Sequence, residues 1–173
     1  LLFIIIVLSF WVGYYPLTPV QVLNAFLSKF GFKENFTPGS YHILEYPSAR
    51  ILSALFIGAS LSVAGATYQG MFRNPLVSPD ILGVSSGASL GAAFAIFKGA
   101  SNWMIQLSAF AGGVAAVAAS YLISRKSAHS QTLSLVLTGT MIMSLCNAGV
   151  TMIKYVADPN DVLQQITFWL RAA

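Results

Sequence analysis

The sequence predicts an all-α fold, a polytopic transmembrane helical bundle, and three observations predict it. Of its 173 residues, 56% are hydrophobic and only 8% charged, with a mean hydropathy of +0.72, whereas a soluble domain carries roughly 25% charged residues. Apolar runs about as long as the ~20 residues needed to cross a bilayer recur along the chain, and their Gly and Ala suit helix-on-helix packing in lipid. Short polar connections, most of them carrying Pro, Asn or Asp, separate these runs, in place of the short alternating segments of a β-barrel.

Five spans and the start of a sixth element follow from run length, at residues 1–15, 47–70, 81–98, 104–124 and 133–155, with a short helix from about 162. The first run, LLFIIIVLSFWVGYY, opens at Leu1 without an initiator Met or a basic flank. It reads as a truncated helix rather than a signal peptide, so the chain is expected to be a fragment truncated at both ends. Residues 16–46 read as an aqueous segment with turns at Pro16, Pro19, Gly31, Pro38 and Gly39. One short amphipathic helix is expected inside it: Thr18 as N-cap, Pro19 in the first turn, and Val22, Leu23, Phe26 and Leu27 on the apolar face.

The break between the second and third spans, QGMFRNPLVSPDILGVSSGASLG at residues 69–91, is the most informative stretch. Irregular backbone inside hydrocarbon leaves polar groups without partners, so it occurs only at the membrane surface, within protein or beside a water-filled cavity. Ser78, Pro79 and Asp80 predict a helix start: a hydroxyl to cap free amides, a ring with no amide to lose, and an acid at the positive end of the dipole. That explanation outweighs a transport role for Asp80. Asn74 either satisfies backbone groups in the turn or lines a path, and Gln69 is expected to hydrogen-bond between helices. The later connections, RKSAHSQT at 125–132 and VADPND at 156–161, are short and polar.

Small residues recur at every fourth position as Ala54, Gly58, Ser62, Ala66 and Gly70, then as Gly83, Gly87, Gly91 and Ala95. Such stripes let helix backbones approach closely, and tight internal packing is the better reading than a subunit interface or pore lining. The formal charge of +4 is spread along the chain with no basic cluster, which gives no sign of a nucleic-acid partner. Cys146 is the single cysteine, and neither His42 nor His129 has a second ligand at metal spacing, so no metal site is expected. Ser85, Ser86 and His129 lie in different segments with no orienting partner, which argues against an intramembrane enzyme. No Asp, Glu or Lys falls in the middle of a span, which argues against an ion-coupled secondary transporter, the main alternative.

The run ARILSALFIGASLSVAGATYQGMFRNPLVSPDILGVSSGASLGA resembles the signature region of the FecCD family, the membrane permeases of ABC importers for iron-siderophores, haem, cobalamin and some oxyanions. The resemblance extends to LVLTG at 135–139 and to the region of Trp169. It implies a permease of ten membrane helices of which this chain is the N-terminal half, one transmembrane domain over residues 1–173. It further implies a homodimer with its path on the dimer axis, two cytoplasmic ATP-hydrolysing subunits, an external substrate-binding protein, and a multi-pass location in a bacterial or archaeal plasma membrane. This chain itself would bind no cofactor, ATP being used by the partner subunit. Counting Lys and Arg does not support a cytoplasmic 71–80 turn, because Lys29, Lys33, Arg50, Lys98 and Lys154 fall toward the other side. The resemblance nevertheless implies that the second helix starts outside and leads into this turn at the inner face.

By the same resemblance Asn74 and Leu76 match one part of a cytoplasmic gate, and Gln131 and Thr132 match the other. Arg50 matches one of two arginines that meet acids of the binding protein in the family's Arg-x-Pro-Arg motif. Pro47 stands where the first arginine is expected, so docking is weaker or supplied elsewhere. The family's Trp-x-x-Gly-Ser becomes Trp169-Leu170-Arg171-Ala172-Ala173 here, and these last residues are given no role. Iron chelates, as the family's commonest cargo, are the expected substrate class, with identity resting mainly on the binding protein.

Overall fold

The computed structural model describes residue 5 and residues 38–75, 77–126 and 131–172. Every element among them is helical: α1 (Pro38–Phe72), α2 (Val84–Phe97), α3 (Asn102–Ser124), α4 (Gln131–Val156) and α5 (Val162–Ala172). The first expected span, the amphipathic helix near Thr18, and His129 lie outside the described residues, apart from Ile5, which is helical. Among the described residues three helical stretches are long and apolar enough to cross a membrane, Ala49–Phe72, Asn102–Ser124 and Thr132–Val156. These correspond to the second, fourth and fifth predicted spans.

Two boundaries differ from expectation. Helix α1 begins at Pro38 rather than near 47, so Pro38 and Gly39, expected in a turn, are helical. Proline suits a first turn, where its fixed φ is already helical and its missing amide has no partner to lose. The third span is shorter than expected: α2 has 14 residues, about 21 Å at the usual helical rise, against ~30 Å of hydrocarbon. Its ends are consumed by turns, and Gly83 at φ 76° and Gly99 at φ 68° hold conformations that side chains disfavour.

The chain divides into two compact units, residues 1–64 and 65–173. In the first, the described part of α1 carries Phe56, Ile57, Leu61 and Val63 exposed. The hydroxyls of Ser60 and Ser62 donate back to the carbonyls of Phe56 and Gly58, each at 2.7 Å. This satisfies both side chains within the helix, as an apolar surrounding demands.

In the second unit α2 is the hub, packed against α3, α4 and α5. Ala92 and Ala93 are fully buried, and they form a core with Ala95, Ile96, Ile105, Ala109, Val150, Ala157 and Ile166. Small side chains bring α2 and α3 together. A methyl group built on Gly87 would lie 2.5 Å from the Gly112 carbonyl oxygen and from the Ala116 methyl. One built on Gly91 would fall onto the Ser108 carbonyl. Helix α5 is amphipathic: Val162, Leu163, Ile166, Trp169 and Leu170 turn inward at helical spacing, while Gln164, Gln165, Phe168 and Arg171 are exposed.

The other small-residue stripe does not pack in this way. Among the described residues nothing lies within 4 Å of a methyl built on Gly58 or Gly70, and Ser62 and Ala66 are exposed. Among the described residues the buried glycine of α1 is Gly65, one position off the stripe, where a built methyl would lie 3.4 Å from the ring of Pro79.

Candidate functional site

The connection from α1 to α2 is built as a sequence of closed turns. Helix α1 ends with Arg73 in the left-handed region at φ 48°. The Arg73 amide donates to the Gly70 carbonyl at 3.3 Å and the Asn74 amide to the Gln69 carbonyl at 3.2 Å. This pair of bonds defines a Schellman cap, which satisfies carbonyls that a helix end would otherwise leave open. Glycine is the usual residue at that position; here an exposed arginine occupies it.

The chain then folds back on itself. The Val77 amide donates to the Asn74 carbonyl at 3.4 Å, and the Gln69 side-chain amide reaches the Val77 carbonyl at 3.5 Å. Val77 and Leu82 are buried, anchoring a loop whose Asn74, Pro75 and Ser78 are exposed. Gln69 therefore holds its own loop.

Ser78, Pro79 and Asp80 do not start the helix. The Ile81 amide donates to the Ser78 carbonyl at 3.3 Å and the Gly83 amide to the Asp80 carbonyl at 2.8 Å. These are turn bonds, and Gly83 then interposes a left-handed residue, so α2 begins at Val84. The Asp80 carboxylate reaches forward instead, accepting the Ser85 amide at 2.9 Å. An acid thus meets a free amide of the first turn, where the helix dipole favours negative charge.

Residues 81–83 are gripped from two sides. The Ser120 hydroxyl of α3 donates to the Leu82 carbonyl at 3.2 Å. On α4, a methyl on Gly139 would fall onto the Ile81 carbonyl, and one on Gly83 would lie 3.3 Å from the Met143 amide nitrogen. Sequence reasoning singled out neither Ser120 nor Gly139. Gly139 was within reach inside LVLTG, whereas a serine in an apolar helix gives no sign of which carbonyl it meets.

Of the four gate candidates, Asn74 and Thr132 are exposed. Leu76 and the side chain of Gln131 lie outside the described residues. Arg50, the docking candidate, is exposed in the first unit, beside the start of the apolar stretch Ala49–Phe72.

A further feature was legible as period but not singled out. On α4, Thr140, Ser144, Asn147 and Thr151 recur at helical spacing and all are exposed, giving one polar, uncharged stripe. The hydroxyls of Thr140, Ser144 and Thr151 bond to carbonyls of their own helix at 2.8–2.9 Å. They can sit at an apolar or a wet surface without an unsatisfied donor, while their oxygens stay open as weak acceptors. Exposed Trp103 and Tyr155 mark one end of the bundle and Tyr121 the other, as aromatic belts do at membrane–water interfaces.

The FecCD transport family model matches residues 1–172. The chain is 36% identical to the molybdate import system permease protein MolB of Haemophilus influenzae, over 98% of this chain and 50% of that protein. It is 34% identical to the Fe(3+)-citrate import system permease protein YfmE of Bacillus subtilis, over 96% of this chain and 49% of the relative. A solved structure described as an inward-facing metal-chelate-type ABC transporter superposes with a TM-score of 0.77 at 34% identity, covering 97% of this chain and 49% of that one. The chain thus spans about half the length of the curated relatives it matches. With an apolar helical bundle, a capped helix end at Arg73 and Asn74 and a family match along nearly its whole length, the chain belongs to the FecCD transport family.

Proposed function

We propose that this chain forms the N-terminal half of the membrane permease of an ATP-driven importer. Its cargo would be an iron chelate, haem, cobalamin or a similar metal-containing solute, carried across a bacterial or archaeal plasma membrane. The observation that carries this reading is the α4 stripe of Thr140, Ser144, Asn147 and Thr151, exposed and uncharged on a helix long enough to span. A polar stripe that finds no use in the packing of its own unit suits a water-filled path. The absence of charge suits bulky cargo that must leave as readily as it enters.

In this reading two permease copies enclose the path, ATP-hydrolysing subunits drive it from the cytoplasm, and a binding protein delivers cargo outside. Asn74 and Leu76 from the α1–α2 connection, with Gln131 and Thr132 at the start of α4, would form the inner gate. The Schellman cap and the Ser120–Leu82 bond support a gate on a rigid base, because they fix both ends of the loop that carries Asn74. The relatives include molybdate and Fe(3+)-citrate permeases, so the cargo is proposed by chemical class.

The test is uptake into proteoliposomes holding the full-length permease and its ATPase, with the binding protein outside and ATP within. Accumulation that needs ATP and survives collapse of ion gradients is expected. Accumulation driven by a proton or sodium gradient without ATP would overturn the reading.

A further inference from the structure

An apolar groove of about 500 Å³ lies between α2, α3 and α4, walled by Leu90 and Phe94 of α2, Ala115 and Ala119 of α3, and Ile142, Leu145 and Cys146 of α4. Phe94 and Leu145 are 55% and 68% exposed, so the groove opens sideways from the bundle. Its floor glycines, Gly87, Gly91 and Gly112, are already engaged with one another across the α2–α3 contact. The open part of the wall is then made by side chains, Leu90 and Phe94 on one side and Ile142 and Leu145 on the other.

The mouth of the groove carries a cation. Lys98 follows Phe94 by one helical turn, and its ammonium lies 5.8 Å from the Phe94 ring centroid. It opens a turn, residues 98–101, in which Lys98, Gly99 and Ser101 are exposed, no described residue lies within 4 Å of a methyl built on Gly99, and the Ser101 hydroxyl makes no capping bond to α3. Trp103, 83% exposed, follows at once, and Tyr155, 91% exposed, stands at the matching end of α4. These rings set the level of the membrane interface, which places Lys98 among lipid headgroups and the groove below it in hydrocarbon.

We propose that this groove is a binding site for an anionic phospholipid, with one acyl chain against Phe94, Ala115 and Leu145 and the phosphate on Lys98. The apolar walls match the chain, the ammonium matches the phosphate, and the open turn leaves room for the headgroup. A cation near an anionic membrane surface is worth about 1 kcal/mol, or roughly five-fold in occupancy.

The experiment uses full-length permease in mixed micelles of equimolar phosphatidylglycerol and phosphatidylcholine, with retained lipid measured by native mass spectrometry. Retention of phosphatidylglycerol over phosphatidylcholine by about five-fold is expected, falling to parity in Lys98→Gln. Retention of both lipids should fall in Ala115→Phe, which fills the groove. A second readout places a thiol in the groove by Ala115→Cys, in a background otherwise free of cysteine. A lipid-soluble maleimide should label delipidated protein quickly and slow when phosphatidylglycerol is restored. Equal retention of the two lipids, unmoved by Lys98→Gln, would overturn the proposal. So would a thiol that stays unreactive in delipidated protein, the result expected if a helix of the permease itself fills the groove.

Discussion

The hydroxyl of Ser120, wholly buried in α3, donates to the carbonyl of Leu82 at 3.2 Å and ties a helix to the irregular backbone that precedes α2. A buried carbonyl that loses its donor costs about 1–3 kcal/mol. Ser120→Ala is therefore expected to lower the thermal unfolding temperature of the solubilised full-length permease. Thr138→Ala should cost less, because the Thr138 hydroxyl bonds only to the Ser134 carbonyl of its own helix at 2.7 Å. Equal shifts for the two variants would remove the special role of the Ser120 bond.

The glycines divide into those with a helix against them and those without. Gly139→Ala would drive a methyl into the Ile81 carbonyl, and Gly91→Ala into the Ser108 carbonyl. Overpacking of this kind costs about 1–3 kcal/mol, since backbone must shift to relieve it. Gly70→Ala meets open space and should stabilise the helix by up to ~1 kcal/mol through backbone entropy. Differential scanning fluorimetry of the three variants should rank Gly70→Ala above the native protein and the other two below it.

Arg73 is the one non-glycine residue at positive φ among the described residues. The left-handed conformation costs an L-residue about 1–2 kcal/mol, so Arg73→Gly should stabilise the fold by up to ~1 kcal/mol after the greater entropy of unfolded glycine is subtracted. If the arginine is retained for the transport cycle, the same variant should slow uptake while raising the unfolding temperature. A variant less stable than the native protein would show that the side chain, rather than the backbone, sets the energy of this cap.

The sequence revealed the membrane spans more clearly than the turns between them. Hydropathy places α3 and α4 within a few residues because any helix that crosses lipid must be apolar for about the same length. It misplaces the start of α2, because Ser78-Pro79-Asp80 has the chemistry of a helix start while Gly83, three residues on, has the conformation that delays one. Asp80 still meets a first-turn amide, reaching across that delay to Ser85. Every-fourth spacing found Gly87 and Gly91, which do pack, and Gly58 and Gly70, where no described residue lies within 4 Å of a built methyl. Spacing fixes the face of a helix but carries no information about what stands opposite. For the same reason Ser120 and the α4 stripe were overlooked: their meaning depends on a neighbour, or on the lack of one.

Arg50 gives a test of the proposed docking role. It is exposed, and an exposed charge at the rim of an interface steers association more than it stabilises the complex. Arg50→Glu is expected to slow capture of the binding protein several-fold at low salt. The difference should shrink as the Debye length falls from ~30 Å at 0.01 M to ~8 Å at 0.15 M ionic strength. Surface plasmon resonance across that range measures it, and identical association rates for both proteins would exclude Arg50 from docking.

The α4 stripe makes the sharpest demand on the transport proposal, because its residues are exposed and can be changed without disturbing the core. Asn147 sits in the middle of the stripe and is exposed, so Asn147→Leu removes a polar group from the stripe while leaving the helix apolar and intact. The expected result is an unfolding temperature within about a degree of the native value, as for most surface changes within ±0.5 kcal/mol, with a several-fold loss of uptake. Asn147→Asp places a charge at mid-span, where a bare carboxylate is expensive in lipid but tolerable beside water. If the stripe lines a wet path, Asn147→Asp should insert and fold, and uptake of anionic cargo should fall more than uptake of a neutral analogue. If the stripe instead faces lipid, Asn147→Asp should lower yield and unfolding temperature while Asn147→Leu leaves transport unchanged. The two outcomes differ in both stability and rate, so one pair of variants decides whether the stripe faces a wet path or lipid.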